Sequence, residues 1–332
     1  MTRRPPAPFR PAGPSLDHVR KFYPGRHESL MRSPHLSSAL THRLTGDGAG
    51  GFGAGSGEAI PMAEAADERL DVVAVAPHPD DLEITCGGTL AKLVRQGYRV
   101  GLIDLTSGEP TPRGSLETRA REAEAARRVL GVQVRVNAGL PNRELMDVPA
   151  HRYVLATLFR RFRPGVVLCT AGRTPAASPD HHQAHLLVEA SRFYSQLTKW
   201  DDRFGNTPPY RVPHLVYAPF PFDAENRPWH STFVIDISDT FEQKLGAMRC
   251  YQSQFDEARF DRVKHFVTGH NIAAGFRCGF LYGELFALPH PVGAADLFSL
   301  VFGAKGSPAP VVLPEALPGG ASGPQPPKET GG

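Results

Sequence analysis

Two short loops hold the residues whose types and spacing allow chemistry. One is His78-Pro79-Asp80-Asp81, directly after the apolar run 70–76, and the other is Ser178-Pro179-Asp180-His181, after the apolar run 166–169. His78 and Asp81 stand three residues apart across a strand-to-helix turn, and Pro79 biases His78 toward an extended backbone, so both side chains reach one point. His181 approaches that point from a neighbouring strand end. Two imidazoles and one carboxylate form a three-ligand site for zinc or a similar divalent ion, with a position left for water. Asp80 projects beside the point without belonging to it, placed to take a proton from coordinated water as general base. An Asp-Asp pair alone reads equally well as a helix N-cap. The second loop is what favours a metal.

The elements that must position these loops follow from periodicity. Apolar runs at 70–76, 100–105, 132–138 and 166–169 read as buried strands, and amphipathic stretches at 82–96, 116–130, 151–162 and 181–197 read as helices, the first two closed by Gly97 and Gly131. Strands alternating with helices at this spacing predict an α/β fold with right-handed βαβ units, a Rossmann-like, mostly parallel sheet with helices on both faces. In such sheets ligands gather beyond the carboxyl ends of the strands, where both loops fall. The second half is less regular: 215–218 and 233–237 read as strands, and Ser238 as the cap of a helix carrying Phe241, Leu245 and Met248. His-Pro-Asp-Asp after the first strand excludes the Gly-rich turn of a dinucleotide-binding protein, and Gly87-Gly88 come too late in the helix to serve as one.

The 332 residues, 41% of them hydrophobic, suffice for one large domain. That domain is expected over 62–304. Residues 1–61, rich in Arg, Pro, Gly and Ser, read as a disordered extension or a mis-assigned start with Met62 as the true one, and 305–332 as a disordered Pro/Gly-rich tail. Residues 1–61 hold eight Lys or Arg against four acidic residues and 305–332 hold two of each, which leaves 27 basic and 28 acidic side chains between. This near-neutral centre argues against a nucleic-acid partner. No apolar run has the length of a membrane span, no hydrophobic segment follows Arg3-Arg4 as a signal peptide requires, and the four cysteines are widely spaced. They read as reduced thiols of a cytoplasmic protein.

Pro77-His78-Pro79-Asp80-Asp81, then GGTLAKLVRQGYRV, LTSGE and the later PDH resemble the PIG-L or LmbE-like family of zinc-dependent N-acetylglucosaminyl deacetylases, over about residues 70–290. The segments TPRGSLETRAREAEAARRVLGV, GLPNREL, FVIDISDTFEQKLGAMRCYQSQF and GFLYGELF resemble its bacillithiol-biosynthesis branch, whose members deacetylate N-acetylglucosaminyl malate. The resemblance implies His78, Asp81 and His181 as Zn2+ ligands, Asp80 as general base, and Asp180 as the residue orienting a neighbouring catalytic histidine. It implies a small-molecule sugar conjugate as partner; family members are often multimeric, so a homo-oligomer fits. One position departs from the pattern. The family reads His-Pro-Asp-His, and here Ser178 replaces the first histidine, the oxyanion's partner.

A serine donates a hydrogen bond but carries no positive charge, and loss of one oxyanion donor costs on the order of a hundredfold in rate. Either Ser178 serves with reduced activity or another group substitutes, with His182, His185, His265 and His270 as candidates. Glu109 is placed for a sugar hydroxyl. Arg113 and Arg143 are placed for the malate carboxylates, which a guanidinium matches bidentately. Gln254, Tyr282 and Glu284 either shape the pocket or seal the core. The alternatives are a deacetylase or amidase for another N-acetylglucosamine conjugate, and an impaired relative that binds zinc and sugar without turnover.

Overall fold

Strand β1 (Val72–Ala76) is buried at every position, as an unalternating Val/Ala run must be when both faces of its sheet are covered. In the computed structural model, which describes residues 68–111, 113–172, 177–221 and 231–293, it is an interior strand, third of seven. The expected extension over 1–61, the Met62 start and the tail over 305–332 lie outside the described residues. β1 pairs in parallel with β2 (Val100–Thr106) and with β4 (Val166–Ala171). β3 (Val134–Leu140) is parallel beyond β2, and β5 (His214–Pro219) parallel beyond β4. β7 (Gly283–Leu288) and β6 (Ser231–Asp236) complete the sheet as antiparallel strands, giving the order β3-β2-β1-β4-β5-β7-β6.

Helices α3 (Pro149–Phe162) and α4 (Asp180–Tyr194) cover one face through Leu155, Phe159, Leu187 and Val188. Helices α1 (Asp81–Arg95), α2 (Leu116–Leu130) and α5 (Phe241–Arg249) cover the other through Leu82, Leu90, Ala126 and Ala247. The predicted α/β sheet with helices on both faces is therefore the observed one. Its strand order reverses between β1 and β4, the place where open α/β sheets leave a crevice. The loops after these two strands are the ones that carry residues 78–81 and 178–181. No described helix is long and apolar enough to cross a membrane.

Several elements differ from expectation for identifiable reasons. β3 starts at Val134 and not at 132, because the N–H groups of Gly131 and Val132 both turn back to the Arg127 carbonyl in a left-handed helix stop. Ser238 does not cap α5: its hydroxyl donates to Asp236 Oδ1 at 2.6 Å, and Thr240 occupies the cap position, donating instead to the Gly88 carbonyl at 2.8 Å. Helix α6 (Glu257–Phe276) was not anticipated. Apolar side chains lie all around it, buried at Phe260 and Val267 and exposed at Ile272 and Phe276, so no stripe marks it as a helix.

Glu284, on β7, seals the core. Helix α1 is broken at Cys86 (φ −137°), and Glu284 accepts the N–H groups of Gly88 at 3.0 Å and Thr89 at 2.8 Å beyond the break while pairing with Lys244 at 2.6 Å. The carboxylate thus acts as an N-cap from another strand for the second half of the helix. Gly88 is required there, since a Cβ would stand 2.8 Å from Ile237. Both Glu284 and Lys244 are fully buried. Removing one partner of such a pair leaves a buried charge unpaired, at a cost of about 3–5 kcal/mol. Glu284→Ala is therefore expected to lower unfolding free energy by about that amount in urea denaturation; a loss under about 1 kcal/mol would contradict the capping role.

Candidate metal centre

The turn after β1 gathers its ligands through its own backbone. His78 donates its main-chain N–H to Asp81 Oδ2 at 3.0 Å, while its ring Nδ1 lies 3.2 Å from the same oxygen. Asp81 is the first residue of α1, and its carbonyl is held by the Thr85 hydroxyl at 2.8 Å. From the β4–α4 loop, His181 brings Nε2 to 3.1 Å from Asp81 Oδ1. One donor atom from each of His78, Asp81 and His181 lies within 4.8 Å of the others. Ligand atoms placed about 2 Å from a tetrahedral zinc stand roughly 3.3 Å apart, so these separations suit one small divalent cation.

Hydrogen bonds on the far sides of the rings fix the tautomers. His181 Nδ1 faces the Ser178 carbonyl at 3.0 Å; a carbonyl only accepts, so Nδ1 bears the hydrogen and Nε2 keeps its lone pair for a metal. His78 Nε2 faces Asp180 Oδ2 at 3.2 Å, which leaves Nδ1 as its coordinating nitrogen. Asp180 was expected to orient a catalytic histidine beside it. The structure puts its Oδ2 behind the ring of His78, one of the three candidate ligands, and position 178 beside it holds a serine.

Electrostatics separate the two adjacent aspartates. Burial alone raises Asp81, but the charge and hydrogen bonds of His181 and His78 hold it well below the usual carboxylate range. For Asp80, burial dominates and pushes it up to about 7, against the pull of Arg119. His78 is drawn down by burial and more strongly up by Asp180 and Asp81, to about 10; His181 is raised in the same way by Asp81.

Asp80 stands at the N-cap of α1 but makes no capping bond, and its backbone is left-handed at φ 108°, a conformation rare for a residue with a side chain. The N-cap reading therefore fails. Its carboxylate lies 3.6 Å from Arg119 Nη2, which also donates to the Pro79 carbonyl at 3.0 Å. Sequence reasoning missed Arg119. Its signal was positional: on α2 the buried stripe runs Arg119, Ala123, Ala126, Leu130, so a guanidinium stands where the period calls for a core residue. Phe220, whose ring lies tilted against that of His181 at 4.6 Å between centroids, was missed as well.

Other predicted residues are placed differently. Ser178 Oγ accepts the Asp180 N–H at 3.3 Å, stabilising the turn into α4. Glu109 turns its carboxylate into its own loop, accepting the Thr111 N–H at 2.6 Å and hydroxyl at 3.2 Å. Arg113 is paired at 2.9 Å with Asp256, the N-cap of α6, so its expected carboxylate partner is supplied by the protein itself. Gln254 donates to the Arg113 carbonyl, and Tyr282 stacks on Phe241. Arg143 is exposed, and its main-chain N–H reaches Asp180 Oδ2 at 2.8 Å. His265 and His270 lie on α6, which packs on β7 and β6; His182 and His185 lie on α4 with rings stacked at 6.4 Å.

Residues 73–191, which include both site loops, match the family model of PIG-L, GlcNAc-PI de-N-acetylase. A conserved protein from Thermus thermophilus, known by crystal structure, superposes with a TM-score of 0.59 at 36% identity, covering 68% of this chain and 97% of that one. The chain belongs to the PIG-L family. Among its curated relatives, the diacetylchitobiose deacetylase of Thermococcus kodakarensis is 28% identical over 62% of this chain and 82% of its own length. The 4-oxalmesaconate hydratase of Pseudomonas putida is 27% identical over 56% of this chain and 74% of its own. Relatives of this chain thus carry out more than one reaction, and the site must decide which applies here.

His78, raised to about 10, holds a proton at neutral pH when no cation is bound, and a metal must displace it; His181 is raised in the same direction by Asp81. Protonation dominates as pH falls, so affinity is lost in that direction. Zinc affinity by chelator competition is expected to rise about tenfold per pH unit for each proton displaced between about pH 6 and 8. A flat profile would contradict the pairing of the His78 ring with Asp81 and Asp180.

Proposed function

We propose that the chain hydrolyses the N-acetyl group of a glucosamine conjugate, with His78, Asp81 and His181 holding a zinc ion. The observation that carries this reading is the convergence of those three donors from two loops, with Asp80 beside them but bound to none. A divalent ion so held supplies a water acidified to a pKa of roughly 7 and polarises an amide carbonyl. Asp80, pushed up to about 7, has the basicity to take a proton near neutral pH and pass it to the departing amine. Arg119 fixes that carboxylate and the Pro79 carbonyl in one grip, so the base is held in position before substrate arrives. In this reading Ser178, whose carbonyl holds His181 and whose hydroxyl lies beside Asp180, offers at most a neutral hydrogen-bond donor to developing negative charge.

For the substrate, the family description and the chitobiose relative favour an N-acetylglucosamine unit. Within that class the proposal is N-acetylglucosaminyl malate. With Arg113 engaged by Asp256, the malate carboxylates fall to Arg143, whose side chain is exposed in the β3–α3 loop. The hydratase relative supplies the second reading, water addition to an unsaturated acid, which needs no leaving amine. A third, zinc and sugar binding without turnover, is motivated by Ser178.

Purified chain with zinc is expected to release acetate from N-acetylglucosaminyl malate faster than from diacetylchitobiose. Faster release from chitobiose would move the aglycone assignment, and hydration of 4-oxalmesaconate without acetate release would replace the reaction. Asp80→Asn is expected to lower kcat by roughly a hundredfold or more with zinc affinity retained. Ser178→His is expected to raise kcat; if the parent chain releases no acetate and this variant does, the binding-only reading stands.

A further inference from the structure

Residue 143 does something that its side chain does not explain. Arg143 has a left-handed backbone at φ 67°, a region that favours glycine, yet its side chain is exposed. What the conformation achieves is a direction for the main-chain N–H. That group donates to Asp180 Oδ2 at 2.8 Å, and the same oxygen faces His78 Nε2 at 3.2 Å. We infer that residue 143 is a positioning residue for the metal centre acting through its backbone: its N–H locks the Asp180 carboxylate, which in turn fixes the ring and tautomer of the ligand His78.

The path is continuous and crosses three separate loops. The β3–α3 loop supplies the N–H, the β4–α4 loop supplies Asp180, and the β1–α1 loop supplies His78. A carboxylate holding a ligand imidazole needs a donor of its own, or it rotates and the ring turns with it. The buried Asp180 receives a main-chain donor from Arg143, and His78, the Arg143 N–H and the Ser178 hydroxyl together hold it below its usual value against the upward push of burial. The loop itself is anchored independently of position 143. Leu145 is buried in the core, the Asp147 N–H donates to Gln183 at 3.0 Å, and Asp147 pairs with Arg152 at 2.6 Å. A change at 143 therefore alters the local backbone without releasing the loop.

The inference rests on the metal-centre part of the proposed function, and it is tested by metal affinity, which is read without substrate. Arg143→Gly keeps the left-handed conformation and the N–H while deleting the side chain. It is expected to bind zinc within about twofold of the parent and to leave the Co2+ absorption spectrum unchanged, although KM for a malate conjugate rises. Arg143→Val, whose β-branched side chain opposes positive φ, is expected to weaken zinc binding about tenfold and to shift the Co2+ bands. Placed on Asp180→Ala, the same valine should cost nothing further, because the acceptor is gone. A tenfold loss in Arg143→Gly would assign the effect to the guanidinium and overturn the inference. So would an unaffected Arg143→Val, or an equal loss with and without Asp180. A parent chain that binds zinc but releases no acetate sinks only the proposed reaction; one that fails to bind zinc sinks both.

Discussion

The site depends on a single carboxylate shared by two imidazoles. Asp81 presents Oδ2 to His78 and Oδ1 to His181, and those rings come from opposite sides of the strand-order reversal between β1 and β4. A parallel sheet is needed for this, because only there do both strands end on the same edge and send their loops into one crevice. Each ring is held from behind by an acceptor, the Ser178 carbonyl for His181 and Asp180 for His78, so the other ring nitrogen of each points inward toward Asp81. The result is a set of donors already arranged for a cation, with the ordering cost met during folding by the sheet and its helices.

Gathering acids at one edge creates a problem that the layer beneath resolves. Asp80, Asp81 and Glu83 fall within four residues, and Asp104 ends up nearby on β2. Two buried arginines balance them: Arg119 beside Asp80, and Arg135, which binds Asp104 at 2.7 and 2.8 Å and Glu83 at 2.6 Å. Tyr251 donates to Glu83 from the other side at 3.0 Å. This network ties β2, β3, α1 and the segment after α5 together under the first turn of α1. It also explains why the turn can hold so much negative charge in the core, since buried ions persist only when paired and hydrogen-bonded.

The sequence disclosed the first half of this architecture well. Alternation of apolar runs and amphipathic stretches placed β1 to β4 and α1 to α4 within a few residues, and His78, Asp80, Asp81 and His181 were singled out by type and position. Local signals were sufficient because each ligand sits at the end of a strand whose burial is written in its own residues. The signals failed where a role is assigned by distant neighbours. Glu284 reads as a pocket residue until the break at Cys86 shows which N–H groups it must cap. Arg113 reads as a free cation until α6, itself unmarked by any apolar stripe, brings Asp256 to it. Arg119 hid among the other arginines of α2, distinguishable only by the face it occupies.

The adjacent aspartates show how one dipeptide comes to hold two electrostatic environments. Helical geometry begins at Asp81, so its carboxylate lies at the N-terminus of α1, where the exposed N–H groups favour negative charge and both imidazoles neutralise it. One residue earlier the backbone turns left-handed, which directs Asp80 away from the helix N–H groups that would otherwise bind it as a cap. Had Asp80 capped the helix, those N–H groups would have stabilised its charged form and lowered its affinity for a proton. Freed from them, it keeps only Arg119 at 3.6 Å and the cost of burial, and burial prevails. The left-handed turn is therefore what separates the two environments, so that of two identical side chains in sequence one is held below the usual carboxylate range and the other is pushed up to about 7.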